Sequence, residues 1–382
     1  MISRRRRHAR SPAVTPLDDD DLLCEILLRL PPQPSSLPRA SAVCKRWRCL
    51  VCDPGFSRRF RLRHRRNPPL LGFFEKYNFL PTLEAPNCIP PGRFFFQSSD
   101  EYDRSMSLGC RHGLILIFLS NPRQVLVWDP ITGDKHHIAV PVPFDSVKTV
   151  GLVNGAVLRP AGEDQHFEVA LVGANNEKQA LACVYSSKTG LWGNLISTPL
   201  PYKANESHIP TLVYSDDAVL AGDSLYWLLI GNSRGILEFD LAKQSLAVIP
   251  VPVDLGKCFR IMQAEGGGLG CFVVSGYTAQ LWKRKTDCDG VASWGLARTI
   301  ELDKLLSLNS EGSLNVLGIA EENNVVFIST MIGLFMIHLK SLKFKKLFEG
   351  NVKSYYHPFE CVCTAGKCAG GGNDGDETLL NA

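Results

Sequence analysis

Four residues near the end of the chain carry the strongest metal-binding chemistry in the sequence: Cys361, Cys363 and Cys368, with His357 close by. Thiolate and imidazole are zinc ligands, but Cys-x-Cys-x4-Cys is not a usual structural spacing. Alternation would place Cys361 and Cys363 on one face of a strand, so they are read as buried free thiols of a closing strand. Other chemistry fails on composition or order. No Gly-x-x-x-x-Gly-Lys phosphate loop and no Gly-x-Ser-x-Gly nucleophile elbow occur, and no pair of carboxylates stands out. Gly266-Gly267-Gly268-Leu269-Gly270 lacks the last glycine of a dinucleotide fingerprint and no helix is readable after it, so it is expected to be a turn between strands. His136-His137 follows a Gly-Asp turn and alternates into Ile138, which points to a strand surface. The sequence therefore carries no catalytic set, no cofactor motif and no metal set.

What remains is a segment suited to holding another protein. From Thr15 to Leu62, Leu22, Leu23, Ile26, Leu27 and Leu30 recur at helical spacing behind Asp18–Asp21. Carboxylates there cap free amides and oppose the positive end of the helix dipole. Pro31-Pro32 ends this helix, because proline lacks the amide hydrogen and restricts the residue before it. Ser35 or Ser36 can cap a second helix with Pro38 in its first turn, carrying Leu37, Ala40, Val43, Cys44, Trp47, Leu50 and Val51. Asp53-Pro54 reads as the start of a third, with Phe56 and Phe60. Three short helices make a marginal core that a docked partner would complete.

At these residues the segment resembles the F-box, by which substrate receptors attach to the Skp adaptor of cullin-RING ubiquitin ligases. The resemblance rests on Leu17, Asp18–Asp21, Leu22-Leu23, Glu25-Ile26-Leu27, Arg29-Leu30-Pro31, Val43-Cys44-Lys45-Arg46-Trp47-Arg48 and Asp53-Pro54 with Phe56. Many F-boxes have proline after the first leucine, whereas Asp18 stands here; plant members often carry an acidic run at that place. The resemblance implies that Leu17, Leu22, Leu23, Ile26, Leu27, Leu30, Pro31, Val43, Cys44 and Trp47 hold the helices together or face the adaptor, and the sequence does not divide the two roles.

After Pro68-Pro69 helical periodicity gives way to short β-type runs separated by Gly, Pro, Asn and Asp. Examples are Leu114–Leu119, Val125–Trp128, Glu168–Val172, Leu181–Tyr185, Leu225–Ile230, Ile236–Phe239, Cys271–Val274, Gln280–Trp282, Val325–Ile328 and Leu334–Ile337. Asp303–Leu308 is the best short helix. Trp128, Tyr185, Phe239, Trp282 and Ile337 each end a strand before a polar turn, at steps close to one four-stranded propeller blade. Examples are Val127-Trp128-Asp129-Pro130-Ile131-Thr132-Gly133 and Val184-Tyr185-Ser186-Ser187-Lys188-Thr189-Gly190. With Leu71–Phe74 and Tyr355–Cys363 they suggest about six blades, closed by pairing of the terminal strands; an irregular β-sandwich is the alternative. The region is similar to the F-box-associated β domains of plant F-box proteins. The expected fold class is thus α+β and multidomain: a basic tail (1–14), a three-helix F-box (15–62), a linker (63–69), a kelch-like or F-box-associated propeller (70–365) and a tail (366–382).

Composition limits the rest. The 382 residues are 45% hydrophobic and 21% charged, as in ordinary globular proteins, and no apolar run reaches the roughly eighteen residues that span a bilayer. Thirteen cysteines without framework spacing suit free thiols in a reducing compartment, hence a cytoplasmic or nuclear location. Residues 1–66 hold 16 Lys or Arg against 6 Asp or Glu, so they carry +10 and the rest −6. The arginines at Arg4–Arg7 and Arg58–Arg66 are read as a solvated tail and helix face; nucleic-acid binding and nuclear import are the sharper alternatives. The expected function is a non-catalytic substrate receptor with Skp adaptor, cullin and RING partners and an unknown target. Its candidate target surfaces are Glu75–Pro91, Tyr202–Pro210 and Lys283–Ser293. The alternative is a sugar-binding or enzymatic propeller with an N-terminal interaction module.

Overall fold

The computed structural model describes residues 19–364 except 95, 97–104, 146–152, 161, 164, 176, 177, 202–209, 233, 253–257, 290, 309–311, 313 and 351–355. Leu17, Asp18, Arg4–Arg7, Cys368 and most of Tyr202–Pro210 lie outside the described residues. Two compact units result, one of helices (19–64 with 362–364 among the described residues) and one of strands (65–361).

The helical unit contains α1 (Asp20–Leu27), α2 (Ser36–Ser41), α3 (Lys45–Cys52) and α4 (Pro54–His64). The second apolar run thus forms two helices instead of one. Cys44 is fully extended at φ −162° and ψ 170°, and it leads into α3 as its N-cap. The opening and closing ends follow the sequence reading: Asp19 Oδ1 accepts from the amides of Asp21 (2.8 Å) and Leu22 (3.2 Å), and Asp53 Oδ2 accepts from that of Phe56 (2.8 Å).

The strand unit is a six-bladed propeller, as the spacing of its aromatic anchors led us to expect. Five blades are consecutive antiparallel sheets: 106–139, 153–199, 212–249, 258–301 and 315–348. Their second and third strands are the ten β-type runs of the sequence. Trp128, Tyr185, Phe239, Trp282 and Ile337 all stand in third strands. Apart from the basic outer end of Thr278–Thr286, these middle strands are largely apolar on both faces because each is covered by both neighbouring blades, and apolar clusters fill successive seams. The polar turn after Trp128 is an Asx turn: Asp129 Oδ1 accepts from the amides of Ile131 (2.9 Å) and Thr132 (3.2 Å). Gly133 follows at φ +80°, where a side chain would be strained.

The remaining blade joins the two ends of the unit. Leu70–Glu75 pairs with Asn78–Pro81 on one side and with the C-terminal strand His357–Glu360 on the other. That strand stands on the propeller axis, beside the inner strands Met106–Arg111 and Asn315–Ala320. Cys361 and Cys363 lie beyond its end, so neither belongs to a strand face as the alternation suggested; Cys363 is buried and Cys361 partly so. Asn323, in the turn after Asn315–Ala320, clasps both ends of the closing blade. Its Nδ2 donates to Glu360 Oε1 (2.7 Å) and to the Pro68 carbonyl (2.9 Å), and its amide donates to Glu360 Oε1 (2.8 Å). The strand Asn315–Ala320 bulges between Val316 and Gly318. A Cβ at Gly318 would sit 2.5 Å from the Tyr356 carbonyl oxygen, so only glycine permits this approach.

Two outcomes test the closure. Gly318→Ala should lose roughly 1–3 kcal/mol in urea unfolding of the full chain, as overpacking does. Gly92→Ala, with nothing within 4 Å of the added carbon, should change stability little. Burial raises the Glu360 carboxyl to about 7, against the lowering effect of the Asn323 and Glu322 donors. A carboxyl whose folded pKa exceeds its unfolded value binds its proton more tightly when folded, so its ionisation opposes folding as pH rises. Glu360→Gln should therefore gain stability relative to the wild type between about pH 4.5 and pH 7, read from paired thermal melts across that window.

Candidate docking surface

The helical unit sorts the leucines that the sequence left undivided. One stripe of α1 faces inward: Leu23 (0% exposed) and Leu27 (1%) pack with Leu28, Leu37, Ala40, Val51, Phe56, Phe60 and Val362. Leu22 (50% exposed) and Ile26 (42%), four residues apart and so on one side of α1, face out. Leu30 and Trp47 are partly buried against the same core. Val43 (61% exposed), Cys44 and Pro31 are exposed. Of the ten expected site residues, two are therefore core, two are half-buried supports, five are outward-facing and Leu17 is undescribed.

Ion pairs hold the helices in register around these side chains. Arg46 Nε meets Asp20 Oδ1 at 2.7 Å, which ties the first turn of α3 to the first turn of α1. Glu25 pairs with Arg59 of α4 and, at 3.9 Å, with Arg29. His64 contacts the Leu28 carbonyl at 3.0 Å, bracing the end of α4 against the segment after α1. Part of the basic cluster read as a solvated face thus has structural partners. Exposed pairs of this kind contribute little stability individually, and their effect here is orientation.

A second polar constellation, on the propeller axis, escaped sequence reading. Every blade contributes: Arg111, Asn154, Asp216 with Asp217, Arg260, Glu321 and His357. Arg111 forms a two-pronged pair with Glu321 and donates to the Ala218 carbonyl at 2.7 Å. Arg260 Nε meets Asp216 Oδ2 at 3.1 Å and its Nη2 donates to the Val316 carbonyl at 2.9 Å. His357 Nδ1 meets Asp217 Oδ1 at 2.6 Å. Asn154 Nδ2 donates to the carbonyls of Tyr214 (2.6 Å) and Asp216 (2.9 Å). The Asp217 carboxylate is admitted by Gly109, at φ +138°, where a Cβ would lie 3.0 Å from Oδ1.

Burial alone would favour neutral His357, but the Asp217 and Asp216 charges and the Asp217 hydrogen bond raise its pKa. Burial likewise opposes the Arg111 charge, yet Glu321 more than offsets it and the pKa rises. Burial pushes Asp216 up to about 6 despite Arg260. A cavity of about 40 Å³ adjoins these groups, enough for a few waters at roughly 10–15 Å³ each. The constellation spends its hydrogen bonds on itself and joins blades. Among the described residues, no three His, Cys, Asp or Glu side chains converge as a metal site. No spacing rule could have found this set, since its members are scattered from residue 111 to residue 357.

Comparison with known proteins agrees with both units. The F-box domain family matches residues 19–59, and the family described as F-box protein AT5G49610-like, beta-propeller matches residues 107–362. Among Arabidopsis thaliana proteins, F-box/kelch-repeat protein At3g23880 is 22% identical over 308 residues, covering 75% of this chain and 80% of its own. Putative F-box protein At3g21120 is 24% identical over 270 residues, covering 62% of this chain and 66% of its own. The match to putative F-box protein At3g16210, 26% identical over 238 residues, spans 61% of this chain and 60% of that relative. Among solved structures, AofleA from Arthrobotrys oligospora aligns with 66% of this chain and 73% of its own, at 11% identity and a TM-score of 0.38. With a propeller family covering most of its length and an F-box ahead of it, this chain belongs to the AT5G49610-like F-box β-propeller family.

Proposed function

We propose that this protein is the substrate-recognition subunit of a Skp–cullin–F-box ubiquitin ligase. The observation that carries the reading is the two-sided first helix of a matched F-box: Leu23 and Leu27 complete the helical core, while Leu22 and Ile26 are left exposed on its other side. Apolar side chains left on the outside of so small a core are suited to a partner's apolar groove, and burying each is worth about 1.5–3 kcal/mol. The Skp adaptor occupies that surface, and cullin and RING subunits follow through it. The propeller presents a target, raising its effective concentration near the ubiquitin-loaded conjugating enzyme and supplying no bond-making group. The chain works in the cytoplasm or nucleus, where its free cysteines stay reduced.

The test separates docking from folding. Leu22→Asp with Ile26→Asp should reduce capture of purified Skp adaptor by at least a hundredfold, with the far-ultraviolet circular dichroism spectrum unchanged. Truncation of anchors at the centre of an interface commonly costs about 2 kcal/mol or more each. Full adaptor affinity in this double variant would sink the proposal. Leu23→Ala, inside the core, should instead lower the stability of the helical unit by about 2–5 kcal/mol.

A further inference from the structure

The outer strands of a propeller are open sheet edges, and natural proteins blunt such edges by shortness, proline or lysine. Four of the outer edges here follow that rule. Asn78–Pro81 ends in proline, Ile196–Pro199 likewise, Lys135–Ala139 has five residues and begins with lysine, and Phe344–Phe348 carries Lys345 and Lys346. Ser245–Ile249 is uncharged but has only five residues. Ala292–Glu301 is different: ten residues long, it pairs with Thr278–Thr286 alone among the described residues. From Ala292 to Ala297 it holds no charge and no proline. A bulge at Ala297 leaves Ala292–Leu296 in regular register, opposite Thr286, Lys285, Arg284, Lys283 and Trp282 in turn.

The two faces of that stretch differ. On one, Lys283 and Lys285 stand behind Gly295 and Ser293, which have little or no side chain to obstruct them. Lys283 is turned back to the Glu265 carbonyl at 3.1 Å. Lys285 is exposed, and its Cε lies 3.9 Å from where a Cβ of Gly295 would be, so its stem crosses the edge strand over the glycine. A lysine lying across its neighbour in this way can present its ammonium to a further strand added outside. On the other face stand Trp294, half-buried with its Nε1 donating to the Pro250 carbonyl at 2.9 Å, and Leu296, 51% exposed, with the half-buried Arg284 and Trp282 behind them. Strand pairing alternates its side chains, so an added strand would meet the Lys285 ammonium on one face and the side chains of Trp294 and Leu296, in front of Arg284, on the other.

We infer that the edge Ala292–Leu296 captures an extended segment of a partner protein by strand addition, and that this segment alternates acidic with apolar residues. Its acidic residues lie under Lys285, its apolar ones on Trp294 and Leu296, and its backbone completes the open ladder. That the partner is a ubiquitination target rests on the receptor reading above. The capacity of the edge does not, and the test contains no adaptor, so the two can fail separately.

The probe is a fluorescent ten-residue peptide alternating glutamate and valine, titrated with the full chain and followed by anisotropy. Saturable binding is expected. The same peptide N-methylated at alternate amides, which removes ladder donors, should bind at least tenfold more weakly. Lys285→Glu should weaken binding at least fivefold, whereas Lys343→Glu, an equal change of net charge at an exposed position on the next blade, should leave it unchanged. Absence of binding, equal affinity for the N-methylated peptide, or equal loss in both charge variants would overturn the inference. So would a concentration-dependent dimer in sedimentation that Leu296→Lys abolishes while the peptide does not bind, since the edge would then serve a second copy of this chain.

Discussion

Pairing of His357–Glu360 with Leu70–Glu75 is the interaction on which the strand unit depends, because it turns six sheets into a ring. Without it the first blade would be a two-stranded ribbon, which does not hold its own in water. With it, Phe73 stacks tilted on Tyr356 at 4.1 Å and meets Phe327 edge-on at 5.3 Å, so the closing blade shares an aromatic seam with the blade before it. Phe74 meets Phe359 at 5.2 Å and Trp128 at 5.6 Å, which continues the seam to the blade after it. Every other seam can form from segments near in sequence. This one joins residues almost 300 positions apart, with a correspondingly large loop-closure cost.

The axial ions follow from the same closure. Inner strands converge on the axis, where apolar packing runs out and backbone carbonyls from several blades come together. Arginine suits that place because its guanidinium satisfies a carboxylate and a carbonyl at once, as Arg111 does with Glu321 and Ala218, and Arg260 with Asp216 and Val316. Buried pairs of this kind do not stabilise strongly against an apolar alternative, but losing one partner leaves a stranded charge. The ring of six contributors therefore enforces one arrangement of blades. The helical unit uses the opposite arrangement: its ion pairs are exposed, and what it leaves over is apolar surface on α1.

Much of this was legible in the amino-acid order. The acidic cap and Asp53-Pro54 are local backbone signals at which helices begin, whereas the first helix already ends at Leu27, a turn ahead of Pro31-Pro32. Most second and third strands of five blades were readable because they are buried on both faces and so appear as apolar runs, while Thr278–Thr286 shows only its Gln280–Trp282 part before it turns basic and exposed. The inner strands of those five blades were missed: Cys258–Gln263 carries Arg260 toward the axis, and Leu212–Val213 with Val219–Ala221 is split in two. Other outer strands were missed because, half-exposed, they resemble loops, as Ser245–Ile249 does, whereas the alternation of His136-His137 into Ile138 did point to the exposed strand Lys135–Ala139.

What the sequence by itself determined is therefore the set of elements whose cause lies within a dozen residues: caps, stops, turns such as Asp129–Gly133, and doubly buried strands. Tertiary structure alone decided which leucines of one stripe face inward. Leu22 and Leu23 are chemically identical neighbours, and only the position of Val51, Phe56 and Phe60 against α1 separates them. It also decided which charges meet on the axis and where the cysteines after Glu360 fall. Those outcomes depend on groups brought together from distant parts of the chain, and periodicity carries no record of them.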